Sequence, residues 1–245
     1  GRYNETPDKI ASVLEGFIQA GWVNILGGCC GTTPEHISAI ARTAEGKTPR
    51  RPVNQARWHV SGIDYLELTD DNRPVIVGER TNVIGSRMFK RLVSEEKYEE
   101  ASEIGRRQVR TGAQIVDVCL ANPDRDEKTD MDRFLAVLMK KIKAPLMIDS
   151  TDRGVIELAL QYSQGKAIIN SINLEDGEDR FADVVPLAKQ YGAALVVGCI
   201  DDDPKQGMAL TVQRKVEIAR RAYDLLTNKY HYPAHNIIFD PLVFP

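Results

Sequence analysis

From residue 74 onward, short apolar runs alternate with amphipathic segments, and this alternation most limits how the chain can fold. The apolar runs have the length and composition of buried strands and lie at residues 74–78, 115–120, 145–148, 167–172, 193–200 and 236–239. Segments with helical spacing separate them, at about 95–111, 130–142, 153–162, 180–191 and 212–228. Because strands joined through helices run parallel with right-handed crossovers, the pattern predicts an α/β fold.

Two architectures fit six such units: a doubly wound sheet, and part of an eight-stranded (β/α)8 TIM barrel. No glycine-rich phosphate loop follows the first predicted strand, which disfavours a nucleotide-binding doubly wound sheet. The barrel interpretation implies about six of eight βα units, so we expect a barrel truncated at its C-terminus. Gly112, Gly165 and Gly192 stand just before predicted strands, and each is predicted to be a left-handed cap of the preceding helix.

Polar residues collect where these predicted strands end. They are Glu79 and Asn82 after the first strand, Asp117 in the second, and Asp149, Asn170 and Asp240 at the third, fourth and sixth. A single strand-end aspartate can simply cap the next helix. In a parallel barrel, however, all these ends face one mouth, where barrel enzymes keep their active sites. Carboxylates and an amide without a nearby histidine cluster favour a planar heterocycle that carries N–H donors and ring-nitrogen acceptors.

The first 45 residues have a different organisation. A helix is predicted over residues 8–20 with Gly21 as its cap, followed by a short buried strand over 22–26 and a helix over 35–43. Between the last two lies a glycine-rich turn that contains Cys29 and Cys30. Vicinal thiols suit zinc, although two packed buried thiols remain the alternative interpretation, and a zinc site requires three or four protein ligands. Cys119 and Cys199 are expected to be ordinary core or strand-end thiols.

Residues 46–73 are polar, contain Pro49, Pro52 and Gly62, and have no clear periodicity, which predicts a linker. The net charge of −3 and the absence of an 18-residue apolar run favour neither a nucleic acid nor a membrane as partner. No basic segment followed by an apolar stretch opens the chain, and four scattered cysteines do not make a disulfide framework. We therefore expect a cytoplasmic protein.

Two sets of motifs resemble known families. The run GGCCGTTPEHI resembles the end of the homocysteine S-methyltransferase domain, in which two adjacent cysteines and a third, upstream cysteine hold zinc. The segments VIVGERTN, PLMIDS, AIINSI and NIIFDPLVFP, together with Asp117, resemble the pterin-binding methyltransferases. Their form here is most similar to the folate domain of the cobalamin-dependent methionine synthases. Together the two resemblances cover nearly the whole chain.

This resemblance implies a domain organisation and a function. Residues 1–48 would be the C-terminal end of a homocysteine-binding zinc barrel, 49–73 an interdomain linker, and 74–245 a truncated methyltetrahydrofolate-binding barrel. The chain would act in methyl transfer from methyltetrahydrofolate to cob(I)alamin, and then to zinc-activated homocysteine, giving methionine and tetrahydrofolate. Cobalamin would lie on a further domain of the same polypeptide, outside this chain, so that this chain alone is not expected to be active.

The resemblance also assigns residues. Asp149, Asn170 and Asp240 would hydrogen-bond the pterin, with Glu79, Asn82 and Asp117 lining the same mouth. Asp117, Asp149, Asn170 and Asp240 are the candidate catalytic residues, with Glu79 and Asp117 alternatives for handling the proton. Cys29 and Cys30 would be zinc ligands. The third zinc cysteine and the family's contacts on the last two strands do not occur in these 245 residues.

Other functions remain open from the sequence. A dihydropteroate synthase or a corrinoid methyltransferase would use the same kind of pterin pocket, although the CCGTTP run argues against both. The chain could also be a non-catalytic module that presents folate to partner domains. An aldolase-type barrel would need a lysine at the carboxyl end of a strand, whereas Lys166 precedes its strand.

Overall fold

A computed structural model describes residues 4–53, 56–205 and 207–243. The chain divides into two compact units, residues 1–55 and 56–245. None of the helices in the described ranges is both long enough and apolar enough to cross a bilayer. The second unit contains all the strands of the described ranges and all the residues predicted to bind the pterin, and the first contains the cysteine pair.

The first unit is built on helices α1 (Pro7–Gln19) and α2 (Pro34–Ala44), which pack against each other. Gly21 follows α1 with φ of 67°, which confirms it as the left-handed residue that ends the helix. Thr33 caps α2, and the ring Nδ1 of His36 lies 3.2 Å from the Thr33 amide nitrogen, which donates to it. His36 Nε2 lies 3.0 Å from the carbonyl oxygen of Glu5, so this buried histidine joins the starts of the two helices.

The strand predicted at residues 22–26 is wrong: these residues form no strand in the structure. Their apolar side chains are largely outside a core, since Trp22 is 67% and Ile25 91% exposed. A strand satisfies its amide and carbonyl groups through a neighbouring strand, and residues 4–53 contain no other strand to pair with. An apolar run therefore did not suffice to make a strand here.

Part of the predicted linker is ordered within the second unit. Strands β1 (His59–Ser61) and β2 (Tyr65–Glu67) form an antiparallel hairpin, with Val60 opposite Leu66. A short 3-10 turn, Asp70–Asn72, follows and is closed by the Thr69 amide, which donates to Asn72 Oδ1 at 3.0 Å. These residues lack helical or long strand periodicity because each element is only three residues long.

The second unit contains a six-stranded parallel sheet, as the alternating pattern predicts. Its strands, in both chain order and spatial order, are β3 (Val77–Gly78), β4 (Ile115–Val118), β5 (Leu146–Asp149), β6 (Ile168–Ile172), β7 (Ala194–Gly198) and β8 (Ile237–Asp240). The helices are α3 (Arg87–Ser94), α4 (Tyr98–Arg110), α5 (Glu127–Leu138), α6 (Arg153–Tyr162), α7 (Asp179–Tyr191) and α8 (Val212–Asp224). Sequential parallel order with a helix in each connection is the topology of a (β/α) barrel.

The sequence predicted five of these six helices. Helix α3 was not expected, and it begins where Ser86 Oγ accepts from the Phe89 amide at 3.3 Å. Beyond α8 the chain continues as a π-helical turn, Leu225–Lys229, and a 3-10 turn, Ala234–Asn236, leads into β8.

Alternation along each strand gives the sheet two different faces. Outward residues such as Val116, Ile148 and Leu195 pack with residues of the helices in the larger apolar core. Inward residues such as Ile115 and Ile168 form a separate apolar cluster with Val60 of the hairpin, and partly buried residues pack against it. Because side chains alternate with a period of two, only the outward residues pack against the helices. The inward positions near the carboxyl end of the sheet can therefore carry polar side chains that bind a ligand.

The hairpin β1–β2 lies against the amino end of the sheet. The Ser61 amide donates to the carbonyl of Lys166 at 3.0 Å, and the Lys166 amide donates to Ser61 Oγ at 2.9 Å. This contact explains Gly165, since a Cβ there would lie 2.4 Å from Ser61 Oγ. The prediction that Gly165 is a left-handed cap is wrong, whereas Gly112 and Gly192 do have positive φ, of 111° and 65°.

Candidate functional site

The polar residues predicted at the strand ends occupy the inner face of the sheet. Four of the six lie two positions beyond an inward apolar residue of their own strand, in the pairs Ile115 and Asp117, Met147 and Asp149, Ile168 and Asn170, and Ile238 and Asp240. In register, Asp149 is opposite Asn170, and Asp240 is opposite Gly198. The inner face is therefore apolar at its amino end and polar at its carboxyl end, where barrel enzymes hold their substrates.

Asn82 connects two of these strand ends. Its side-chain nitrogen Nδ2 donates to Asp117 Oδ2 at 3.0 Å and to Asp149 Oδ2 at 3.0 Å. Its oxygen Oδ1 accepts from the amides of Ile84 at 2.9 Å and Gly85 at 3.0 Å. Since two backbone donors fix the position of the oxygen, the amide nitrogen is the atom that faces the carboxylates.

Two carboxyl groups thus share one amide, and among the residues described neither has a cation as its partner. Asp117 is only 2% exposed, and burial, together with the charges of Asp149 and Glu79, raises its pKa to about 7. The Asn82 hydrogen bond opposes this increase. Burial also raises the pKa of Asp149, against the effect of hydrogen bonds from Asn82 and Cys119. At neutral pH the pair can therefore retain a proton.

Buried polar residues behind β3 hold the Asn82 segment in place. Thr81, which is fully buried, donates from its hydroxyl to the backbone carbonyl of Asp117 at 2.5 Å. Gln108 of α4 donates to Thr81 Oγ1 at 3.1 Å and accepts from the Arg80 amide at 2.6 Å. A Cβ at Gly78 would lie 2.8 Å from Gln108 Oε1, so only glycine allows this close approach.

The other candidates contribute differently. Asn170 is half-buried and makes no side-chain hydrogen bond to the residues described, so its amide is available to a ligand. Asp240 accepts from the Leu242 amide at 2.8 Å, which is also the local hydrogen bond of a simple turn. Glu79 is exposed and acts on the cluster through its charge. Asn82, Asp117 and Asp149 are thus the residues that the structure directly joins.

Three further residues lie around Asp149: Cys119, which was expected to be a core or strand-end thiol and is buried in the core, and Glu127 and Arg180, which sequence reasoning missed. Burial raises the pKa of the Cys119 thiol to about 12, which keeps it protonated as a donor to Asp149. Glu127, in the first turn of α5, has a buried Oε1 without a hydrogen-bond partner among the residues described. Arg180, in the first turn of α7, donates to backbone carbonyls of the turn after Asp149. The helix-start positions resemble ordinary capping, so the sequence offered no signal for them.

The predicted zinc ligands, Cys29 and Cys30, are both exposed, and both thiols are free. Among the residues described, no His, Cys, Asp or Glu joins them to make a group of three. Zinc in proteins takes at least three protein ligands, so residues 4–53 do not provide a complete zinc site. The assignment of these two cysteines to zinc stays a prediction.

The chain matches two family models. The model described as pterin binding enzyme matches residues 78–245, which is more than half of the 245 residues, and the chain therefore belongs to this family. The model described as homocysteine S-methyltransferase matches residues 1–44. The second match includes the cysteine pair, and the first includes every strand from β3 to β8 except the start of β3.

Solved structures share the fold of the second unit. A dihydropteroate synthase from Xanthomonas albilineans, in complex with indole-2-carboxylic acid and 6-chloroguanine, is 16% identical with a TM-score of 0.53, over 76% of this chain and 65% of that chain. A dihydropteroate synthetase with a bound product is 18% identical with a TM-score of 0.51, over 75% and 66%. This chain thus spans just under two thirds of these proteins. At such identities the likeness establishes the pterin-binding barrel fold alone.

Proposed function

We propose that this chain binds methyltetrahydrofolate in the polar mouth of its sheet and serves in the transfer of the methyl group to cob(I)alamin. Onward transfer to zinc-activated homocysteine, giving methionine and tetrahydrofolate, would complete the reaction in a longer polypeptide. The order of the two family matches supports this, because a homocysteine S-methyltransferase match precedes the pterin-binding match in one chain. A pterin-binding transferase of another kind would not need the first match.

The observation that carries the proposal is the carboxylate pair joined by Asn82 on the inner face. A pterin edge offers adjacent N–H donors and ring-nitrogen acceptors, and Asp149 has an oxygen that is not used by Asn82. Asn170 lies opposite Asp149 in register and can both donate and accept. Such a pair fixes the plane and the orientation of a heterocycle, which is the main requirement for a methyl transfer.

The same site can handle the proton that this reaction needs. When bound, a reduced corrinoid supplies the nucleophile that takes the methyl group. The nitrogen that loses the methyl is a poor leaving group unless a proton or strong hydrogen bond stabilises it. Asp117, with a pKa of about 7, holds a proton near neutral pH and can donate it to the nitrogen that loses the methyl group, which leaves Asp117 as the carboxylate. Asp117 is therefore the proposed acid, and Asp149 and Asn170 the proposed orienting groups.

Calorimetric titration of methyltetrahydrofolate into the chain tests binding. We expect micromolar binding by the parent and a loss of about a hundredfold, roughly 2.7 kcal/mol, on Asn170→Ala or Asp149→Ala. Asn228→Ala is the matched control, because Asn228 is exposed after α8, where the chain returns to the amino end of the sheet.

Three outcomes would contradict the proposal. A folded parent that does not bind methyltetrahydrofolate would remove the folate assignment. Equal losses in Asn170→Ala and in Asn228→Ala would show that binding does not use the inner face. Binding of a dihydropterin diphosphate in place of methyltetrahydrofolate would favour chemistry of the dihydropteroate synthase kind.

A further inference from the structure

Arg180 is in an unfavourable position for an arginine. It lies in the first turn of α7, where the helix dipole disfavours a positive charge, and it is half-buried. Burial is the first cause of the lowered pKa of its guanidinium, which the charges of Asp183 and Asp152 only partly offset. Among the residues described, no carboxylate oxygen lies within the 4.0 Å of an ion pair with it. Because the helix dipole and burial both disfavour its charge, Arg180 must make other interactions that compensate.

The hydrogen bonds of Arg180 show where it acts. Its Nη2 donates to the carbonyl of Ser150 at 2.8 Å, and its Nη1 donates to the carbonyl of Thr151 at 2.5 Å. These are the two residues that directly follow Asp149, at the point where β5 turns into α6. A planar guanidinium that donates to two successive carbonyls fixes the direction of the backbone between them.

Other contacts hold the same turn from its remaining sides. Asp152 accepts from the amides of Gly154 at 2.6 Å and Val155 at 3.0 Å, which anchors the turn to the start of α6. The Asp152 amide donates to Ser150 Oγ at 3.1 Å. These contacts connect the turn to its own helix, whereas the hydrogen bonds of Arg180 connect it to α7. Arg180 therefore limits movement of the turn after β5 relative to α7.

We propose that Arg180 is a positioning residue that holds the Asp149 carboxylate beside Asn82 and Asp117. The consequence for folate binding rests on the proposed function, whereas the effect on the pair does not. The contacts of Arg180 predict a defined structural effect. Without the two carbonyl contacts, the end of β5 can move, and a displacement of about 1 Å suffices to break a 3.0 Å hydrogen bond between Asn82 and Asp149.

Three variants separate positioning from a simple charge effect. Arg180→Gln removes the charge and both contacts, and Arg180→Lys keeps the charge but cannot donate to two carbonyls as a planar fork. Arg153→Gln is the control, because Arg153 is exposed nearby and pairs at 3.5 Å with Glu157 of its own helix. Carbon-detected NMR of the aspartate carboxyl groups in the ligand-free chain reports the titration of Asp117, assigned with Asp117→Asn.

Positioning predicts that Arg180→Gln and Arg180→Lys both lower the titration midpoint of Asp117 by about one pKa unit, as Asp149 moves away and solvent enters. Arg153→Gln leaves it unchanged. A midpoint that rises in Arg180→Gln and stays constant in Arg180→Lys would show a charge effect and overturn the proposal. Unchanged midpoints in both would overturn it as well. If Arg180→Gln does not fold, Arg180→Lys alone decides.

The second readout is the affinity for methyltetrahydrofolate. Both Arg180 variants are expected to raise Kd about tenfold at constant stability. A parent that does not bind methyltetrahydrofolate would refute the proposed function, and the carboxyl titration would still decide the role of Arg180. Parent binding that both variants leave unchanged would confine Arg180 to a structural role.

Discussion

Two buried carboxylates of this chain, Asp130 and Asp117, have nearly the same exposure, 1% and 2%, and opposite surroundings. Asp130 accepts from Arg125 through both oxygens, Nε to Oδ2 at 2.7 Å and Nη2 to Oδ1 at 2.8 Å, and from the Tyr98 hydroxyl at 2.7 Å. Asp117 accepts one side-chain hydrogen bond from Asn82 and has another carboxylate as its neighbour. The charge of Asp130 is therefore balanced by an arginine, whereas Asp117 is bonded to a neutral amide.

This difference indicates which buried charge serves the fold. The contacts of Asp130 join α5 to Tyr98 at the start of α4, on the outer, helical side of the sheet. A buried charge with a bidentate arginine is stable as a charge. Asp117 lies on the inner face and has no cation partner among the residues that the structure describes, so burial favours its protonated form. A site that costs stability and holds a proton near neutral pH is typical of functional residues rather than structural ones.

The largest effect should follow from removing the satisfied carboxylate. Asp130→Ala leaves Arg125 without its main partner and the Tyr98 hydroxyl without its acceptor, and we expect a loss of about 4 kcal/mol in the free energy of unfolding. Urea denaturation measures it. Asp132→Ala is the control, because Asp132 is exposed and, among the residues described, accepts from the Tyr162 hydroxyl at 2.7 Å without a cation partner. Similar losses in both variants would mean that burial of the Arg125 pair contributes nothing.

Replacing Asp117, in contrast, is expected to raise the free energy of unfolding. Between a pKa of 3.8 and about 7, the folded chain holds a proton on Asp117 that the unfolded chain has released. Raising the pH across this window therefore favours unfolding. Asp117→Asn removes this term, and we expect it to be about 2 kcal/mol more stable than the parent at pH 8 and no more stable at pH 4. A variant that is less stable at pH 8 would show that Asp117 supports the fold.

A smaller effect should distinguish the two parts of the Asp130 network. Tyr98→Phe removes one hydrogen bond to Asp130 but leaves both contacts from Arg125, so we expect a loss of about 1 kcal/mol. Equilibrium unfolding in urea at pH 7 measures it. A loss as large as that of Asp130→Ala would place the stabilisation in the tyrosine rather than in the ion pair.

The smallest expected effect on stability is at Glu79. Glu79→Gln should change the free energy of unfolding by less than about 0.5 kcal/mol, because the side chain is exposed. It should nevertheless lower the titration midpoint of Asp117, since the charge of Glu79 is one cause of the raised pKa. An unchanged midpoint would mean that burial and Asp149 alone account for it.

Much of the fold and several site residues follow from the sequence because they depend on local periodicity. Six apolar runs separated by amphipathic segments correctly predicted six parallel strands, and alternation within each strand put Asp117, Asp149 and Asn170 on one face. Gly112 and Gly192 were predicted from their positions after helices. These features depend on residues that are close in the chain, so a single sequence contains the information.

The tertiary structure alone decided what depends on residues far apart in the chain. The role of Gly165 was set by contact with Ser61, more than a hundred residues earlier, and the apolar run at 22–26 formed no strand without a neighbour. The sequence also could not show that Asn82 would join Asp117 to Asp149, or that Arg180 would hold the turn that follows. Burial and spatial proximity raise the pKa of Asp117, and both are properties of the folded chain rather than of any motif.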